Sequence, residues 1–157
     1  MIIVETDPNS PDAVLMMEEL SQVLEAITGN SGRHSFDTSD VCVPRSLFAL
    51  AYNENKEPVG CGAIRPINNG VAELKRMYAK TKARGVGTEI LGFLESKAQS
   101  HGYTAIWLET RLINRQAVSF YEKRGYIRIP NYGKYVNNPE AVCFEKKLTS
   151  AASLIDF

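Results

Sequence analysis

The sequence predicts an α+β (mixed α/β) fold, in which helices cover both faces of one mostly antiparallel sheet that contains a single parallel strand pair. Three observations carry this. Apolar runs at 46–52, 59–67 and 71–79 are divided by the turn-rich "NENKEP" and "NNG", which reads as an antiparallel meander. Next comes a strand, a glycine turn, a helix and a strand over 71–110. The two strands of such a unit run parallel through a right-handed crossover. Finally, helical spacing of apolar residues recurs at 10–29 and 114–125, outside those strands.

Each element has a local reason. Met1–Glu5 reads as a short strand. In the helix of 10–29, Ser10 caps, Pro11 suits the first helical position and Gly29 the end. Met17, Leu20, Leu24 and Ile27 give its expected buried face. The stretch 30–40 is polar and reads as a loop edging a pocket. Asn69-Gly70 signals a hairpin, because both central turn residues must tolerate positive φ. In the crossover helix Ile90, Leu91, Leu94 and Ala98 face the core, and Gly102 ends it. "YTAIWLET" is a buried strand with Trp107 in the core. Asn114 caps the last helix, and "YIRIP" and "AVCFEKKL" close the chain as strands.

The bulk numbers bound the function. A chain of 157 residues fits one domain with a hydrophobic core. Its net charge of zero gives no global sign of a nucleic-acid partner. Locally, Lys75, Arg76, Lys80, Lys82 and Arg84 form a basic run without an acid. Cys42, Cys61 and Cys143 are widely spaced, which argues against a disulfide framework. Cys61 and Cys143 read as core packing. Two histidines, His34 and His101, are too few for an ordinary zinc site, so no metal is expected. The N-terminus lacks the pattern of a signal peptide, and no apolar run nears the ~18 residues of a membrane span. The expectation is a cytoplasmic protein with no membrane or nucleic-acid partner, a monomer or homodimer.

The glycine turn "KARGVG" enters a helix. Helix N-termini carry unpaired N–H groups and partial positive charge, and glycines let a phosphate come close. A dinucleotide fingerprint would need a third glycine near Ile90. A Walker A loop would need Lys and Ser or Thr after Gly87, where Thr88 and Glu89 stand. Two readings remain, a phosphate cradle or a turn that needs glycine for its backbone alone.

"KARGVG" and "NRQAVSFYEKRGY" together resemble the two signatures of the GNAT superfamily of acetyl-CoA-dependent N-acetyltransferases. The second matches at Asn114, Ala117, Phe120, Tyr121, Gly125 and Tyr126. Lys82 stands where the family usually has Arg or Gln. The resemblance covers about 44–148 and implies a single domain, 1–157. Residues 1–45 would be its variable, acceptor-side part and 46–148 its acetyl-CoA-binding core.

The resemblance implies a V-shaped gap between the parallel strands, with acetyl-CoA as co-substrate lying in it. Backbone groups of Met77, Tyr78 and Ala79 would hold the pantetheine arm, and an N–H near Met77 would polarise the thioester. Lys82, Ala83, Arg84, Gly85, Val86, Gly87 and Thr88 would take the pyrophosphate. Asn114, Ala117, Phe120 and Tyr121 would flank the pantetheine end. Tyr121 would give a proton to the departing thiolate. Glu73 is the candidate base, or a simple ion-pair partner. Strand alternation puts it on the side of Lys75 and Met77 unless a bulge intervenes. Tyr132, Lys134 and Tyr135 are placed to close the acceptor pocket, and His34 lies in the loop at its edge.

The implied function is acetyl transfer to a primary amine of a small molecule. The alternatives are a non-catalytic acetyl-CoA-binding module and an acetyltransferase of protein amines.

Overall fold

The computed structural model describes residues 1–80 and 84–149. Seven strands form one sheet in the order β1-β2-β3-β4-β5-β7-β6. The strands are β1 (Ile2–Glu5), β2 (Leu47–Tyr52), β3 (Pro58–Pro66), β4 (Val71–Ala79), β5 (Ala105–Arg111), β6 (Ile127–Ile129) and β7 (Ala141–Lys147). All pairs are antiparallel except β4–β5. The helices are α1 (Pro11–Thr28), α2 (Val86–Ser100) and α3 (Arg115–Lys123). Helix α1 lies on one face over Phe48, Leu50, Cys61 and Ala63. Helices α2 and α3 cover the other, over Ile64, Ala72, Leu74, Ile106, Leu108 and Phe144.

The expected caps form. The Ser10 hydroxyl accepts from Ala13 N–H, and Gly29 closes α1 in the left-handed region at φ 79°. Ile90, Leu91, Leu94 and Ala98 are all buried on α2. Cys61 and Cys143 are fully buried, and burial pushes the Cys61 thiol up to about 12, so it packs and does not react.

Four local expectations are corrected. The buried face of α1 is Ala13, Met16 and Leu20, with Ser21 beside them, while Ile27 is exposed. The reason is Arg76, whose guanidinium donates to the Met17 carbonyl and the Ser21 hydroxyl. It sets a buried cation along the edge where the apolar stripe was expected. The β3–β4 connection is not a tight turn with positive φ at Asn69 and Gly70. Instead Asn68 Oδ1 accepts from Gly70 and Val71 N–H, and Gly70 O accepts from Thr104 and Ala105 N–H, tying the loop to the start of β5. Trp107 is half-buried on the α1 side, donating to Glu145 and packing on Tyr132.

The fourth concerns β4. Cys61 pairs with Tyr78 and Ala63 with Lys75, so Gly62 alone faces both Arg76 and Met77. This is a bulge, with Arg76 at φ +55°. It leaves Glu73 and Lys75 on the α1 side but turns Met77 to the α2 side. There the Met77 sulfur fills the space a Cβ on Gly62 would occupy, 2.6 Å from it.

Candidate active site

Parallel pairing of β4 with β5 covers only Val71–Ala105, Ala72–Ile106 and Glu73–Trp107. Beyond that the strands part, while β5 stays paired with β7 to Arg111 and β4 with β3 to Ala79. The bulge at Arg76 twists β4 where the gap opens. Strand β4 therefore presents Met77, Tyr78 and Ala79 along one arm of a V.

Helix α2 begins at the mouth of that V. Gly85 is its N-cap at φ +78°, with no side-chain cap. A Cβ there would meet nothing within 4 Å, so the backbone conformation, not space, requires glycine. Gly87 is different, since its Cβ would lie 3.2 Å from the Phe120 ring and 3.7 Å from Ala79. It is where α2, α3 and the end of β4 meet. Arg124, which sequence reasoning passed over, locks this junction. It donates to Thr88 Oγ1 at 3.0 and 2.6 Å and to the Phe120 carbonyl, and stacks 3.9 Å from the Phe120 ring. Lys80, Arg84 and Val86 line a hollow of about 440 Å³ beside it. Lys82 and Ala83 lie outside the described residues.

Helix α3 carries Tyr121 to the inner end. Asn114 caps it by accepting from Ala117 N–H, and Ala117 and Phe120 pack on the α2-side core. The Tyr121 ring is buried, edge-on to Phe120 at 5.2 Å and to Tyr126 at 5.5 Å. Its hydroxyl has no hydrogen-bond partner among the described residues, and burial raises its proton affinity. So the ring is core, while the hydroxyl is protonated and unspent.

On the α1 side lies a cleft of about 680 Å³, lined by 33–37, Asp40, Arg65, Ile67, Glu73 and 132–135. Its floor is one ionic cluster. Arg65 donates to Glu73 through Nε at 2.9 Å and lies 2.8 Å from it through Nη2, and it also binds Asp40. Tyr132 donates to the other Glu73 oxygen at 2.5 Å. Glu73 is only 5% exposed, so these donors are what make its burial tolerable. Asp40 in turn belongs to the capping box of the 3-10 turn Thr38–Val41.

Two further groups face each other across the V. Lys75 and Glu109 each lie two residues beyond the last parallel pair, Glu73 and Trp107, on the same sheet face. Lys75 Nζ donates to Ser35 Oγ at 3.3 Å and Tyr135 OH at 3.1 Å, and desolvation lowers it to about 8. Glu109 Oε2 lies 3.2 Å from Arg111 Nη1, yet both atoms are buried without a hydrogen bond. Burial raises the Glu109 carboxyl above its ordinary value, against the pull of Arg111 and Lys75. Glu109 is given no role by sequence reasoning. The signal that could have found it is an acid on an otherwise apolar buried strand.

The family described as "Acetyltransferase (GNAT) family" matches residues 16–126. The chain belongs to the GNAT acetyltransferase family. An IAA acetyltransferase of Azospirillum brasilense is 30% identical over 93% of this chain and 97% of its own. Among solved structures, a GNAT-family acetyltransferase of Staphylococcus aureus superposes with a TM-score of 0.75 at 16% identity, covering 94% and 99% of the two chains. An aminoglycoside 6'-N-acetyltransferase complexed with coenzyme A does so at 0.63 and 21%, covering 95% and 98%. In this GNAT protein, the sites expected for cofactor and acceptor fall on opposite faces of one sheet and meet at the V. Among the described residues no helix is long and apolar enough to cross a membrane, and no cluster of metal-ligand type occurs.

Proposed function

We propose that the protein moves the acetyl group of acetyl-CoA to a primary amine of a small molecule, by direct attack in a ternary complex. The observation that carries this is the parting of β4 from β5, with the unspent Tyr121 hydroxyl on one side of the gap and a polar cleft on the other. A structural neighbour complexed with coenzyme A supports acetyl-CoA as the co-substrate. Residues 46–148 hold the thioester, and 1–45 contribute the loop that edges the acceptor cleft.

Acetyl-CoA supplies an acyl carbon and a thiolate leaving group. Backbone groups of Met77, Tyr78 and Ala79 hold the pantetheine, and the α2 N-terminus from Arg84 to Thr88, with Lys82 and Ala83 before it, holds the pyrophosphate. Asn114, Ala117 and Phe120 shape the inner wall. An N–H near Met77 stabilises charge on the thioester oxygen. As the amine nitrogen bonds to the acyl carbon, the carbon–sulfur bond breaks and Tyr121 protonates the sulfur. Two carboxylates flank the amine proton. Glu109 makes no hydrogen bond, only an ion pair with Arg111, and its proton affinity is raised, which suits proton acceptance. Glu73 must first release Arg65 or Tyr132.

The test is thiol release from acetyl-CoA across amino acids, polyamines, aminoglycosides and peptides. Amine-dependent release with an acetylated small molecule as product is expected. Release only with peptides would make it a protein-directed enzyme. Acetyl-CoA binding, seen as a raised Tm, without release would make it a binding module.

A further inference from the structure

The cations in and around the acceptor cleft are not equivalent. Arg33 is paired with Glu18. Arg65 is shared by Asp40 and Glu73. Arg111 lies against Glu109. Lys75 instead has two neutral partners, Ser35 and Tyr135, and among the described residues no carboxylate within ion-pair distance. Lys134, on the next loop, likewise has no acid partner there, and sits 5.5 Å from the centre of the Tyr135 ring.

These groups converge on one spot. An ammonium has three donors and Lys75 spends two, leaving one N–H. Tyr135 OH accepts from Lys75, and its own proton has no acceptor among the described residues. Burial raises that phenol, so it stays a donor at neutral pH. Ser35, Lys134 and Tyr135 all line the cleft. A desolvated lysine with no ion pair is costly, and its proton affinity is depressed although Glu73 and Glu109 pull the other way. An anionic ligand group would relieve that cost. Across the V, Glu109, which Arg111 pairs without a hydrogen bond, is the complementary acid for an ammonium.

We propose that the acceptor is an amine bearing a carboxylate near its amino group, an amino acid or close analogue, whose carboxylate docks on Lys75, Tyr135 and Lys134 while its amine faces Glu109. This rests on the transferase reading above and adds its substrate class. The spacing follows from topology. The two poles stand at equivalent positions on strands that no longer pair, and a zwitterion laid across the gap would set each charge on its opposite. A plain monoamine would leave Lys75 uncompensated. A polyamine would bring a second cation against it.

The experiment compares kcat/KM for phenylalanine, leucine and glutamate with that for amines lacking only the α-carboxyl group. The wild type is expected to favour the acids by about tenfold or more, the worth of one desolvated charge pair at about 1.4 kcal/mol. Lys75→Met, which keeps the stem, should cut that preference at least tenfold. Lys134→Met, on an exposed loop, should cut it severalfold. Lys147→Met, distant on β7, should leave it intact. Equal or better use of the decarboxylated amines by the wild type overturns the proposal and leaves acetyl transfer standing. So does an unaltered preference in both Lys75→Met and Lys134→Met, with acetyl-CoA affinity normal by calorimetry. Acetyl-CoA binding with no amine of either series acetylated would instead overturn the transferase reading itself.

Discussion

The two faces of the sheet use their polar groups in opposite ways. Under α2 and α3 the interior is apolar, and the site there is made of backbone. It consists of a left-handed Gly85, a bulge at Arg76, strands that part after Glu73, and one phenol. Under the 33–40 loop the site is made of charged side chains, Arg65 shared by Asp40 and Glu73, beside Lys75, which has hydrogen bonds but no ion pair. On the proposed reading, the nucleotide-bearing co-substrate is met largely by main-chain geometry. An acceptor is met by side chains, where one substitution alters what fits. On that reading, co-substrate binding and acceptor selectivity occupy separable halves of the molecule.

The strongest way to break that separation is Tyr121→Phe. It should lower kcat about 10²-fold or more while acetyl-CoA affinity by calorimetry changes little, because only the proton donor is lost. Wild-type turnover would remove Tyr121 from the chemistry.

Glu109→Gln comes next. It should cost about 10²-fold in kcat and recover toward high pH, where the amine loses its proton in solution. Glu73→Gln, by contrast, strips Arg65 of one of its two acids, so it should show first as a lower Tm. A larger, pH-reversible loss at Glu73→Gln would give the base role to Glu73.

Lys75→Met sharpens the comparison through stability. A lysine lowered from 10.5 to about 8 holds fewer protons folded than unfolded between those values. Its burial therefore costs stability below pH 8, by about 3 kcal/mol at most, and the cost fades as pH rises to 10.5. After the loss of two hydrogen bonds, the variant should gain about 1 kcal/mol at pH 7 by urea denaturation. Wild type should regain that ground between pH 8 and 10.5. A gap flat across this window would mean that Lys75 titrates normally.

Gly85→Ala should have the smallest effect. Left-handed backbone costs alanine about 1 kcal/mol, or about 3 °C in Tm, although the Cβ meets nothing. Acetyl-CoA affinity should fall severalfold and acceptor KM should hold. An acceptor effect as large as the cofactor effect would deny that the halves are separable.

What the amino-acid sequence determined by itself is whatever local rules control. Ser10, Pro11 and Gly29 set the limits of α1, strand alternation and turn residues set the meander, and the order of strand, glycine turn, helix and strand set the parallel pair. The two signatures also marked Gly85, Gly87, Asn114 and Tyr121, because a helix entry and a capped amphipathic helix are short-range objects. Tertiary structure decided the rest. No local rule places an arginine at φ +55°, and Arg76 holds that bulge through contacts with α1, some fifty-five residues away in sequence. The same contact chose which face of α1 is buried. The acceptor cleft draws on the loop 33–40, strands β3 and β4, and the loop 132–135. Its ionic balance exists only once those segments are packed together, because whether a charge is paired or uncompensated depends on distances between residues far apart in the chain.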